Sequence, residues 1–590
     1  MGRIVNRRSR WVPVVTGTMM VLAGCATTRS VRDVAAVARH AEHTGQQALA
    51  AVQALQKQRQ ASDKTLQGAI AALQSQEQRT LRALTALQVQ ARRAARVRRV
   101  VKPTKRPAPP AVTKAEIGAV FAHAIARARA LAQAPYVAPH QVAPVLRKLS
   151  FTDYGKISYQ GRVPGWPLGT PFHIQLYPAG YLFTWPETIR VVAGSQSLLA
   201  SPQATVSADP GLAARIPKAI PPAGFSVYTG FGKGPAVYEF LSFLGASYFR
   251  ALGQGQAWGL SARGVAVDTA LPHRAEEFPY FREFWLQAAH PKARHLAFCG
   301  LLDSPSLAGA YRFIVHPGAT TTVDVKAVLF ERRAVRRLGI APLTSMFLQG
   351  RFSRRRFDPL VRAAHDSDGL AIGLPGNARL FWPLRDPRRI AIYRFPAVNP
   401  SGFGLMQRAR RAGDYRAYGM HYEDRPSAWV TPEGNWGAGH LVLVELPTNT
   451  ATNDNISVFW VPQRQAAPLT PMTFHYRISW IGHNPRGRHL GYVSAWRHAY
   501  DAASHSETYV VDFAGPVLAS GAPAAFAPVV HVAGPAHVID PWVTRNAAGD
   551  LRLQFGVARS GSGPVTIHAA LLRGPDRVTE TWGGSLPASR

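Results

Sequence analysis

At 590 residues the chain is too long for a single hydrophobic core and predicts several domains. Its 69 Lys+Arg against 33 Asp+Glu give a formal net charge of +36, a balance that suits nucleic acid, an acidic membrane face or an anionic polymer. No zinc-ligand spacing, RNP-like segment or Walker loop is present, and Gly253-Gln-Gly255 is too short for a dinucleotide fingerprint, which argues against nucleic acid and leaves no cofactor or metal site to expect.

The chain opens as a lipoprotein signal peptide over residues 1–24. Arg3, Arg7, Arg8 and Arg10 form a charged start, residues 11–22 an apolar stretch too short to span a membrane as a mature helix, and Leu22-Ala-Gly-Cys25 a lipobox. Cys25 is therefore the expected lipidated residue. Ala26 after it, in place of Asp, directs the expectation to the inner leaflet of the outer membrane, with the protein in the periplasm. With Cys25 lipidated only Cys299 remains, so an intramolecular disulfide is excluded despite an oxidising compartment. Cys299 lies in the apolar run Leu296-Ala-Phe-Cys299 and reads as a buried structural thiol.

Residues 25–101 predict a long helix. From residue 31 the segment is Ala/Gln/Arg-rich without proline, with apolar positions at broken 3-4 spacing from Val31 and Val34 to Leu84 and Leu87. It reads as a coiled coil through which two copies could associate, or as a solvated single helix. Residues 1–112 hold 20 Lys+Arg against 4 Asp+Glu, densest from Arg92 to Arg106. That basic helix end suits contact with peptidoglycan. Lys102-Pro-Thr-Lys-Arg-Pro-Ala-Pro-Pro110 breaks the helix, giving a semi-rigid linker over residues 102–112.

A short helix is expected at residues 115–133, and strands from residue 149 onward. The 50 Gly and 46 Pro, with Val, Thr, Tyr and Phe recurring in short runs between them, predict a mainly β fold. A large β-sandwich over residues 113–482 should end where the strand of residues 472–480 gives way to the polar Gly482-His-Asn-Pro-Arg-Gly487. The remaining residues 483–590 alternate like the strands of a smaller immunoglobulin-like sandwich.

Two acidic clusters carry the chemistry. Thr452-Asn453-Asp454-Asn455 and His365-Asp366-Ser-Asp-Gly369 stand among aromatic and Gly-rich strand-like segments. A glycosidase needs one carboxyl to protonate the leaving oxygen and another to activate water. The other reading of both is Asx turns at strand ends.

The surrounding segments decide between them. Leu244-Gly-Ala-Ser-Tyr-Phe-Arg250, Gly259-Leu-Ser-Ala-Arg-Gly264, Leu338-Gly-Ile-Ala-Pro-Leu-Thr-Ser-Met-Phe347, Gly402-Phe-Gly-Leu-Met-Gln-Arg408 and Arg425-Pro-Ser-Ala-Trp429 closely resemble the OpgG/OpgD (MdoG/MdoD) family of periplasmic glucan biosynthesis proteins, in order from about residue 113 to Glu580-Thr-Trp582. The resemblance implies a large β-sandwich joined to an Ig-like domain, β-glucan as the polymer handled, and hydrolysis of β-1,2-glucosidic bonds with inversion. It makes Asp454 the general acid, Asp366 a base acting through a relay, and Tyr422 a member of the same site. A non-catalytic glucan-binding factor that organises the polymer or a partner in the glucan synthase machinery, reached through the basic helix end, is the alternative.

Arg250, Arg263 and Arg425 lie inside the shared motifs and suit hydrogen bonding to sugar hydroxyls, or bidentate pairing with Asp366 or Glu445; Trp382, Trp429 and Trp436 suit stacking on sugar faces, or the sandwich core. Tyr422 likewise reads as a site residue or a core aromatic. The chain departs from the family pattern twice. Thr450-Ala451 stands where an Asp-Glu pair is usual, and Gly376-Asn377-Ala378-Arg379 where Gly-Asn-Gly-Glu is usual.

Overall fold

A computed structural model describes residues 114–588, apart from residues 160, 201–203, 207–208, 232–236, 352, 354–356, 358–359, 418, 465 and 483–488. The signal peptide, the lipidation site Cys25, the long helix of residues 25–101 and the linker lie outside the described residues. The rest is mainly β, as the composition predicts.

The helix Lys114–Gln133 falls almost where its sequence places it. Ile117, Phe121, Ala124, Ala128 and Ala132 recur every three or four positions and are all buried, so one face lies on the strands Leu296–Asp303, Leu307–His316 and Thr321–Glu331. Small residues along that face let the helix approach the sheet closely. Cys299 lies beneath it, fully buried, with burial pushing its thiol up to about 12. This is the inert structural thiol expected.

Two large sheets face each other. One runs through Phe172–Pro178, Pro222–Thr229, Tyr238–Leu244, Tyr248–Ala251, Ser261–Arg263, Leu338–Ser345, Ile456–Pro462, Ala438–Glu445 and Ala391–Val398. The other carries Gly369–Gly373, Gly402–Met406, Ser427–Glu433, Met472–Ile481 and the three strands under the helix. Between them Phe243 stacks on Phe225 and Phe249 and takes Phe284, Phe298 and Phe313 edge-on. Truncating such a ring to alanine opens a cavity costing about 3–5 kcal/mol.

The C-terminal strands form a second, smaller core. In Leu551–Arg559, Leu551, Leu553, Phe555 and Val557 alternate inward against Val511, Phe513, Ile567 and Leu571. This core is shared with the larger sandwich. Leu380 and Phe381 pair in parallel with Thr581 and Trp582, so the smaller sandwich continues the second large sheet. Arg408 fastens the same seam by pairing with Glu580 while its guanidinium lies 3.6 Å over Phe381.

Candidate active site

The loop between Ala438–Glu445 and Ile456–Pro462 carries Asp454 into the wall of a cavity of about 450 Å3. Leu446, Pro447, Thr448, Thr452 and Asn455 line it from the same loop, and Arg250 from the neighbouring strand Tyr248–Ala251. The loop is held from below. Asn455 donates from Nδ2 to the carbonyls of Phe347 and Leu446, at 3.0 and 2.9 Å, and its Oδ1 accepts from the Phe347 amide at 2.8 Å. Thr450 and Thr452 share a hydroxyl contact of 2.9 Å above it.

Asp366 arrives from a different direction. Ala364–His365 pairs antiparallel with Phe347–Gln349, and the Asp366 amide donates to the Met346 carbonyl at 2.8 Å. Its carboxylate, only 5% exposed, accepts from Arg425 Nη1. Arg425 in turn lies 4.2 Å over the ring of Tyr422, donates to the Met420 carbonyl at 3.1 Å, and packs against Gly259. A Cβ at 259 would stand 3.0 Å from Arg425 Cβ, so glycine there lets the Arg425 stem lie close against the strand connection.

Burial raises the carboxyl of Asp366 to about 6; the Asp454 charge adds to that rise, while Arg425 and Arg250 oppose it. Asp454 is also raised, first by burial, against Arg250 and Arg425. Its side chain keeps 29% exposure, and its Oδ2 lies 3.6 Å from Arg250 Nη2. Both carboxyls thus stand above the ordinary aspartate range and feel one another's surroundings. An acid and a base working near neutrality need raised values of this kind.

The sequence-derived residues divide. Asp454, Asp366, Tyr422, Arg250 and Arg425 come together. Tyr422 is buried, stacked 5.5 Å from Tyr415, and its hydroxyl is raised by burial. Arg263 does not present a free guanidinium as expected: it is 3% exposed, pairs with Glu276 at 2.8 Å and is sandwiched by Tyr248 and Phe278 at 5.1 Å. Trp382, at 2% exposure, is core, with Tyr393 and Phe395 against its ring, and Trp436, at 7%, is core beside Trp460 and Tyr476. Neither ring has a face open to a ligand. Trp429 is half-buried but lines a separate, smaller cavity.

Three residues escaped notice in the sequence. Gln407 donates to the carbonyls of His365 and Tyr422, at 2.8 and 3.0 Å, and accepts near His365 Nδ1 at 2.9 Å, tying the segment of Asp366 to that of Tyr422. Ser345 donates to Ser367 at 2.8 Å beneath the same turn. A polar Gln ending the apolar Gly402–Met406 run was the available signal. Ala451, in place of the usual acid, packs toward the apolar cluster of Met346, Tyr415 and Tyr422, leaving no added carboxylate beside Asp454.

Residues 120–585 match the family described as periplasmic glucan biosynthesis protein, MdoG. Among curated relatives, the glucans biosynthesis protein G of Ralstonia nicotianae is 37% identical over 494 residues, covering 78% of this chain and 95% of that protein. That of Serratia proteamaculans is 37% identical over 491 residues, covering 78% and 92%. That of Pseudomonas putida KT2440 is 40% identical over 411 residues, covering 67% and 73%.

Proposed function

This chain belongs to the MdoG family of periplasmic glucan biosynthesis proteins, and from that premise we propose that it processes the backbone of periplasmic glucans by inverting hydrolysis of β-1,2-glucosidic bonds. What carries the reading is that Asp454, in the cavity wall beside Arg250, and Asp366, far away in sequence and paired with Arg425, are close enough for the Asp454 charge to act on Asp366 and for both arginines to act on both carboxyls. In the proposed step Asp454 gives its proton to the glycosidic oxygen as the C1–O bond breaks. Asp366 takes a proton from water attacking the opposite face, through the relay that includes Tyr422.

Arg250 sets the condition for the first transfer. Its charge 3.6 Å from Asp454 favours the carboxylate, so glucan must cover Asp454 and draw Arg250 onto sugar oxygens for the proton to stay. Bound polymer removes water from the exposed side of Asp454 and works in that direction.

The second reading, a glucan-binding factor without catalysis, is favoured by one observation: Ala451 adds no negative charge to hold Asp454 protonated. Incubation with linear β-1,2-glucan separates the two, since new reducing ends support hydrolysis and retained but intact polymer supports binding.

On localisation, the proposal is a periplasmic protein tethered to the outer membrane by lipid on Cys25. Among the described residues no helix is long and apolar enough to cross a membrane.

A further inference from the structure

The smaller cavity sits on the seam between the two sandwiches. Its volume is about 160 Å3, room for a single sugar-sized ligand, and its walls include Arg379, Trp429, His489, Tyr492 and Glu580. It is separate from the cavity of Asp454 and shares no lining residue with it.

Trp429 is fixed from behind. A Cβ on Gly402 would stand 2.5 Å from its indole, so backbone fills one side of the ring, and the Arg379 guanidinium lies 5.5 Å over it. Tyr492 adds a half-buried phenol ring. A planar cation set among aromatic edges is chemistry that fixes a charged substituent and walls in the ring that carries it.

The charge of Arg379 is what the surroundings do not balance. The nearest carboxylate, Glu580, is already held by both terminal nitrogens of Arg408 and by the Val493 amide. None of the ion pairs among the described residues uses Arg379. A cation drawn partly out of water with no ion pair of its own is unfavourable, and an anionic ligand would offset that cost.

We propose that this cavity is a second saccharide-binding site, selective for a sugar unit bearing a carboxylate or phosphate, with Arg379 pairing the anion and the edges of Trp429 and Tyr492 walling in the ring. It lies outside the hydrolytic reading above and stands whether or not the chain cleaves glucan.

The test is calorimetric titration of the full chain, at physiological ionic strength, with glucuronate, glucose and inorganic phosphate. Wild type and Asp454→Asn should bind glucuronate alike, about tenfold or more tighter than glucose or phosphate, since one charge-assisted pair is worth about a factor of ten. Arg379→Glu, which reverses the charge, should lose that preference, and Arg379→Lys should keep part of it. Equal binding of glucuronate and glucose would overturn the anion selectivity, and equal binding of phosphate the role of the aromatic walls. Loss of binding in Asp454→Asn would move the site to the other cavity, and glucuronate binding unchanged in Arg379→Glu, or absent from wild type, would overturn the proposal.

Discussion

Asn455 brackets Phe347, accepting from its amide at 2.8 Å and donating to its carbonyl at 3.0 Å. Asn455 follows Asp454 in the chain, and Phe347 follows Met346, whose carbonyl holds the Asp366 amide. One side chain therefore couples the loop of one carboxylate to the turn of the other. Replacing it by alanine leaves buried groups of Phe347 and Leu446 without partners, each costing about 1–3 kcal/mol. Asn455→Ala should lower the urea midpoint accordingly, and glucan cleavage should fall more than stability explains. An unchanged midpoint would show that the bracket contributes nothing.

How far the sequence disclosed this arrangement depends on the interaction involved. The helix Lys114–Gln133 and the strand Met472–Ile481 were legible because spacing and alternation are local properties. The parallel pairing of Phe381 with Trp582 was not: nothing local to either segment announces a partner so far along the chain. For the site, the motif resemblance led to Asp366 and Asp454, whereas Trp382 and Trp436 misled because an aromatic for stacking and an aromatic for the core read alike until burial is known. Arg263 misled similarly, since its partner Glu276 lies outside the motif that drew attention to it.

The pH dependence of cleavage should follow Asp366. As a base it must be ionised, so activity is lost as pH falls through about 6, where burial holds its carboxyl, rather than near the ordinary aspartate value. Arg425 pulls that value down, so Arg425→Gln should move the acid limb to higher pH. The rate profile of glucan cleavage decides, and a limb left in place would remove Asp366 from the role of base.

Glu445 gives a separate pH signature in stability. It is fully buried, accepts from the Arg385 amide at 3.1 Å, and is raised by burial from 4.5 to about 8. The folded state therefore holds its proton where the unfolded chain releases it. Its contribution is complete below about 4.5 and is lost progressively as pH rises to about 8, at no more than about 1.4 kcal/mol per unit. Glu445→Gln should flatten thermal stability across that window. A slope identical to wild type would assign it to other buried carboxyls such as Glu187.

Membrane attachment should depend on one atom. Cys25→Ala removes the thiol that the lipobox would lipidate, and fractionation of cells should then recover the protein in the soluble periplasmic extract. Continued recovery with membranes would require a different anchor.

The most direct measurement follows the anomeric products of linear β-1,2-glucan by NMR, with wild type and Asp454→Asn in parallel. The account predicts new reducing ends from wild type, first formed with inverted configuration, and none from Asp454→Asn, whose amide cannot supply the proton. Glucan left intact by wild type across the range from about pH 4 to 8, or cleaved equally by both, would contradict it.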